Sequence, residues 1–148
     1  MPIRPYEPSD WPRLCAIHDP ARLDELQQAG LADAFLPLEV AAEREGLFDY
    51  DVLVAELDGV VCGFAAASDD ELAWLYVDPA CQRRGVGRAL AQAVIQARPG
   101  AVAVEVLQGN VAALGFYRAL GFVETELVSG RMPGHEQFEV TVHCLVRR

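Results

Sequence analysis

One stretch, Leu72 to Ala97 (LAWLYVDPACQRRGVGRALAQAVIQA), limits the folds open to this chain more than any other. It begins as an apolar run ending at Val77 and breaks at Asp78-Pro79. It then crosses a basic segment punctuated by Gly85 and Gly87 and resumes with helical periodicity to Ala97. A strand, a loop and a helix follow one another there, so the fold has to seat a helix N-terminus at the end of a strand.

A helix that starts in a glycine-rich loop offers unpaired backbone N–H groups and the positive end of its dipole, the combination that accepts phosphate oxygens. Gly85 and Gly87 carry no Cβ, so the main chain can approach an anion closely or adopt positive φ. Arg83, Arg84 and Arg88 place guanidinium groups beside that cradle. The segment reads as a diphosphate site, and a solvated surface turn is the other reading the residues leave open. It has neither the Gly-x-x-x-x-Gly-Lys-Ser/Thr register nor a Gly-x-Gly-x-x-Gly with a following acidic residue.

The residues Gln82 to Gly87 match the pattern Gln/Arg-x-x-Gly-x-Gly/Ala, preceded by Leu75-Tyr76-Val77-Asp78-Pro79. Downstream, Asn110 opens a segment that carries Phe116-Tyr117 and ends in Leu120-Gly121-Phe122. In this order the two motifs resemble those of the GCN5-related N-acetyltransferase (GNAT) family, from about Val52 to the C-terminus. The resemblance implies a mixed α/β fold with a mostly antiparallel central sheet of six or seven strands and about four helices. It also implies a splayed gap between strands 72–77 and 101–107.

The same resemblance implies acetyl-CoA as co-substrate and an amine of a small molecule or peptide as acceptor, attacked directly in a ternary complex. A non-catalytic acyl-CoA-binding module is the alternative. Gln82, Arg83, Arg84, Gly85, Val86, Gly87 and Arg88 would hold the pyrophosphate. Asn110, Ala113 and Phe116 would line the pantetheine arm, and backbone N–H groups of Leu75, Tyr76 and Val77 would meet the acyl oxygen. Tyr117 becomes the candidate acid for the departing thiolate and Glu105 the candidate base, desolvated by Val104 and Val106. Glu71, His135 and His143 are the other candidates, and Asp33, Glu39 and Glu43 are candidate contacts for a cationic acceptor. A homodimer is among the states the resemblance leaves open.

The length of 148 residues suits one domain, 1–148. Although 52% of residues are hydrophobic, no uninterrupted apolar run approaches the roughly 18–20 residues of a membrane helix. The N-terminus has no apolar signal region, so a soluble cytoplasmic protein is expected. The net charge of −10 argues against a nucleic-acid partner and favours approach of cationic amines. Cys15, Cys62, Cys81 and Cys144 show neither a disulfide framework nor metal-site spacing, and no metal is expected. Cys81 stands apart because it lies beside the arginines, where a thiolate is favoured, although no His is near it in sequence.

Along the chain, Met1–Tyr6 reads as a short edge strand. Ser9-Asp10 and Pro12 start a helix to His18, and Asp19-Pro20 starts another that Gly30 closes. Leu31–Gly46 is helical or looped, with Pro37 in its middle. Asp58-Gly59 signals a two-residue hairpin between strands 51–57 and 60–67. Strand 101–107 turns Val102, Val104 and Val106 to one face, Asn110 caps the next helix, and strands 122–128 and 138–146 close the fold. In the last strand Leu145 falls on the face of Glu139, Thr141 and His143.

Overall fold

The structure, a computed structural model, describes residues 1–148. There are seven strands and four α-helices, with four single turns of 3₁₀ helix among their connections. In chain order they are β1 (Ile3–Pro5), α1 (Trp11–Gln28), α2 (Leu38–Arg44), β2 (Asp51–Leu57), β3 (Val60–Ala67), β4 (Leu72–Val77), α3 (Val86–Gln96), β5 (Val102–Leu107), α4 (Val111–Ala119), β6 (Val123–Arg131) and β7 (Glu139–Arg147). Antiparallel pairing gives one sheet in the order β1-β2-β3-β4 and another in the order β5-β7-β6. A single parallel bridge, Glu71 to Ala103, links them, and Ala103 N–H donates to Asp70 O at 2.8 Å. Beyond that bridge β4 and β5 part, which is the splayed gap expected between these strands.

Local chemistry explains the hairpin at the centre. Asp58 and Gly59 have φ of 53° and 78°, the two left-handed residues of a turn whose twist matches its strands. β3 is buried from Val61 to Ala67 because both faces are covered. On one side α1 and α2 pack Leu14, Ile17 and Leu38 against Val54, Phe64 and Trp74. On the other, α3 turns Val86, Leu90, Ala91 and Val94 onto Ala65, Leu72 and the valines of β5. No helix is long and apolar enough to cross a membrane.

α3 comes this close because β3 carries Gly63. A Cβ there would stand 2.7 Å from Val86 Cγ1, 3.1 Å from Leu90 Cδ1 and 3.1 Å from the Tyr76 carbonyl oxygen. Gly63→Ala is therefore expected to lower stability by about 1–3 kcal/mol. In urea unfolding, a loss below about 0.5 kcal/mol would show that α3 slides to make room.

One local expectation is corrected, that of two helices before Gly30. α1 does not stop at His18 but runs unbroken through Pro20 to Gln28. Proline forfeits one helical hydrogen bond, and burial of Leu14, Ile17, His18 and Leu26 along the same helix outweighs that loss. Asp19 does not restart a helix; it reaches across the chain and accepts from Leu38 N–H at 2.9 Å. Pro37, in the middle of segment 31–46, is the residue before α2. Leu145 belongs to the core, opposite Val104, because β7 is covered on both faces: Leu145 packs with α3 and α4, whereas Val140 packs with Leu26 and Met132.

Candidate active site

The parting of β4 and β5 opens a cleft of about 1630 Å³. The loop before α3 forms one end, and α1, α2 and the β6–β7 loop form the other. Ion pairing sets the entry to the α3 loop. Arg13 donates to Asp78 Oδ2 at 2.7 Å and to Val61 O at 2.8 Å, while Asp78 Oδ1 accepts from Ala80 N–H at 2.9 Å. Those bonds, led by Arg13, hold the Asp78 carboxyl below the usual aspartate range.

The chain then turns through two left-handed residues, Arg83 (φ 65°) and Gly85 (φ 80°). The first bond of α3 runs from Ala89 N–H to Gly85 O, so the N–H groups of Val86, Gly87 and Arg88 have no helical partner. Gln82, Arg83, Gly85, Val86, Gly87 and Arg88 all line the cleft. Neither Arg83, Arg84 nor Arg88 forms an ion pair within the protein. A Cβ on Gly87 would meet Val77 Cγ2 at 3.4 Å, an ordinary contact. The protein itself tolerates a side chain there, so the open space serves whatever approaches the helix end.

The exposed edge of β4 forms one wall. Asp78 N–H donates to Cys62 O, and the register pairs Phe64 with Tyr76 and Ala65 with Leu75. Antiparallel alternation then turns the N–H groups of Leu75 and Val77 into the gap and that of Tyr76 toward β3. Of the three expected donors, two face the cleft. On the opposite wall Asn110 caps α4 by accepting from Ala113 N–H at 3.2 Å, and Ala113 and Phe116 line the gap.

Tyr117 divides its roles by atom. Its ring lies in the core, edge-on to Phe116 at 5.0 Å and to Phe122 at 5.3 Å. Its hydroxyl lines the cleft and has no hydrogen-bond partner in the fold, and no fully buried side-chain nitrogen or oxygen lacks one. The phenol oxygen therefore stays open to the gap. Burial, reinforced by the charge of Glu25, pushes the phenol pKa well above the ordinary value.

Glu105 is exposed and lines the cleft, but Val104 and Val106 are on the other face, in the core, and do not desolvate it. It lies across from Cys144 and near Glu71, which is half-buried at the bridge. Burial, then Glu105 and Asp70, raise the Glu71 carboxyl above the usual glutamate value. Glu43 also lines the cleft, unlike Asp33 and Glu39.

Both candidate histidines lie outside the site. His135 uses Nδ1 toward Ala34 O at 3.1 Å and Nε2 toward Gln137, tying down its own loop. His143 pairs with Glu124 at 3.0 Å. Cys81 is likewise no thiolate. Its Sγ lies 3.0 Å from Cys62 Sγ, and that contact, with burial, pushes its pKa up to about 11.

One central residue escaped the sequence reading. Glu25 Oε1 accepts from Tyr76 OH at 3.2 Å and pairs with Arg22, while Oε2 accepts from Asn110 Nδ2 at 3.3 Å. One carboxylate thus joins α1, β4 and the cap of α4. His18, Arg22 and Glu25 recur at helical spacing on the face that also carries Leu14, and such polar residues on an apolar stripe are the signal that would have found them.

Residues 48–124, just over half the chain, match the family described as "Acetyltransferase (GNAT) domain". The chain is 43% identical over 70 residues to peptidyl-lysine N-acetyltransferase YiaC of Escherichia coli, a match covering 47% of each chain. It is 39% identical over 77 residues to N-alpha-acetyltransferase RimI of Mycobacterium tuberculosis, covering 46% of this chain and 49% of that one. The chain spans about half the length of these relatives. Its fold is similar to that of a GNAT superfamily phosphinothricin acetyltransferase from Sinorhizobium meliloti, solved in complex with AcCoA. The TM-score is 0.73 at 18% identity, covering 99% of this chain and 86% of that one.

Proposed function

Because the chain belongs to the GNAT acetyltransferase family, we propose that it transfers an acetyl group from acetyl-CoA to the amine of a peptide or small molecule. The observation that carries this reading is the gap beyond the Glu71–Ala103 bridge, with an unpaired helix N-terminus at its mouth and the free Tyr117 hydroxyl inside. The co-substrate fits this gap. Three partnerless N–H groups and the unpaired Arg83 and Arg88 of the cleft wall suit a pyrophosphate, with Arg84, also unpaired, just off that wall, and the open β4 edge suits an amide-bearing arm.

Acetyl-CoA would supply an acetyl group activated as a thioester. The chain's residues do the rest. Leu75 and Val77 N–H groups are the donors available to the acyl oxygen. Glu105, with Glu71 beside it, takes the proton from the attacking amine directly or through water. As the nitrogen–carbon bond forms and the carbon–sulfur bond breaks, Tyr117 gives its proton to the leaving sulfur. Direct attack needs no covalent intermediate on the protein, given in-line positioning.

The test is acceptor-dependent release of coenzyme A, followed by chromatography because the partly exposed free thiols of Cys15 and Cys144 would react with thiol dyes. Saturable release with an amine is expected; binding of acetyl-CoA with silence across peptide and small-molecule amines would overturn the enzymatic reading. Coenzyme A is also expected to raise Tm, with ATP and NAD giving no shift. For the cradle, Arg83→Ala with Arg84→Ala is expected to raise the acetyl-CoA Kd about tenfold, less at high salt. An unchanged Kd in calorimetry would mean that the backbone N–H groups hold the phosphates unaided.

A further inference from the structure

A second, smaller cavity opens off the α1–α2 end of the cleft. It has a volume of about 110 Å³ and is walled by His18, Arg22, Glu45, Trp74, Tyr76 and Met132. All of these except His18 also line the main cleft, so the two spaces adjoin. The volume equals that of roughly four liquid waters. It takes the end of a chain, not an aromatic residue.

Two acceptors in this cavity have no partner within the protein. His18 is 2% exposed, and its Nδ1 lies 2.9 Å from Asp19 Oδ1. A carboxylate only accepts, so Nδ1 carries the proton and Nε2 is left as a bare acceptor. Burial outweighs Asp19 and holds the imidazole below its ordinary pKa, which keeps the ring neutral. Nε2 has no partner in the fold, yet no fully inaccessible nitrogen or oxygen in the protein lacks one, so Nε2 reaches the cavity.

Glu45, half-buried, also makes no hydrogen bond or ion pair; Arg22, whose charge acts on it, pairs directly with Glu25 instead. The rings of Tyr76 and Trp74 lie 4.9 and 6.0 Å from His18. Two unfilled acceptors, one of them beside aromatic rings, call for a donor-rich cation. An anion would meet Glu45, and an apolar group would leave both acceptors unpaired.

We infer that this cavity is the acceptor specificity subsite and takes a positively charged nitrogen carried beside the reacting amine. The group is the ammonium or guanidinium of a basic peptide residue, or the second ammonium of a diamine. This rests on the acetyl-transfer reading and adds to it a requirement for a second charge.

The experiment compares kcat/KM within acceptor pairs that differ only in that charge: putrescine against butylamine, and short peptides with lysine against norleucine beside the reacting N-terminus. In one pair or the other, which names the source, the charged member is expected to be favoured about tenfold. In Glu45→Gln, and separately in His18→Phe, that ratio is expected to fall to within about twofold. Because it is a ratio within each variant, a loss of folded enzyme cancels. Coenzyme A release without charge preference, or a preference unchanged in both variants, overturns the subsite alone. No release with any acceptor overturns the acetyl-transfer reading, and the subsite with it.

Discussion

Tyr117→Phe is expected to lower kcat by about two orders of magnitude while acetyl-CoA affinity stays within about threefold. The substitution removes one oxygen and leaves the ring where Phe116 and Phe122 hold it. The hydroxyl makes no hydrogen bond within the fold, so its loss orphans no partner and stability should change by less than about 0.5 kcal/mol. A fall in rate then reports on the proton given to the leaving sulfur and not on folding. The pH profile supplies an independent readout. Burial, then Glu25, raise the phenol above its ordinary 10.0, so the proton donor stays loaded to at least that pH. Any alkaline limb belonging to Tyr117 lies higher still. Equal turnover in the phenylalanine variant would remove Tyr117 from the chemistry.

Features fixed by a few neighbouring residues were readable before the structure. Asp58-Gly59 dictates its turn because both positions need positive φ, and Gly85 and Asn110 mark helix starts through backbone geometry and capping. What escaped reading depends on distant partners. Nothing near Pro20 reveals that α1 continues, because the burial that sustains the helix is supplied by β3 and β4. Cys81 looks activated beside Arg84 until Cys62, from β3, is placed against it. Glu105 is legible from its place in the strand, but its valine neighbours alternate to the opposite face and leave it exposed. Gly63 shows no local sign of importance; only the approach of α3 gives it one.

Glu25 tests that distinction, because its partners come from three elements. Glu25→Ala is expected to lower stability by about 2–4 kcal/mol in urea unfolding, with the m-value unchanged. Its pair with Arg22 has 20% and 25% side-chain exposure, which places it between a surface pair of little worth and a buried pair whose breaking costs most. To this is added the loss of an acceptor for Tyr76 and Asn110. Glu25→Gln keeps the shape and one acceptor oxygen, and should lose about half as much. The two variants also separate charge from geometry at the site. The alanine variant frees the side chain that caps α4, the helix carrying Tyr117, so kcat should fall in it more than in the glutamine variant. Both leave the Arg22 charge uncompensated at the α1–α2 end of the cleft, so both should raise KM for a cationic acceptor. Equal stability and equal kinetics in the two variants and the parent would mean that Arg22, Tyr76 and Asn110 are held in place without the carboxylate that joins them.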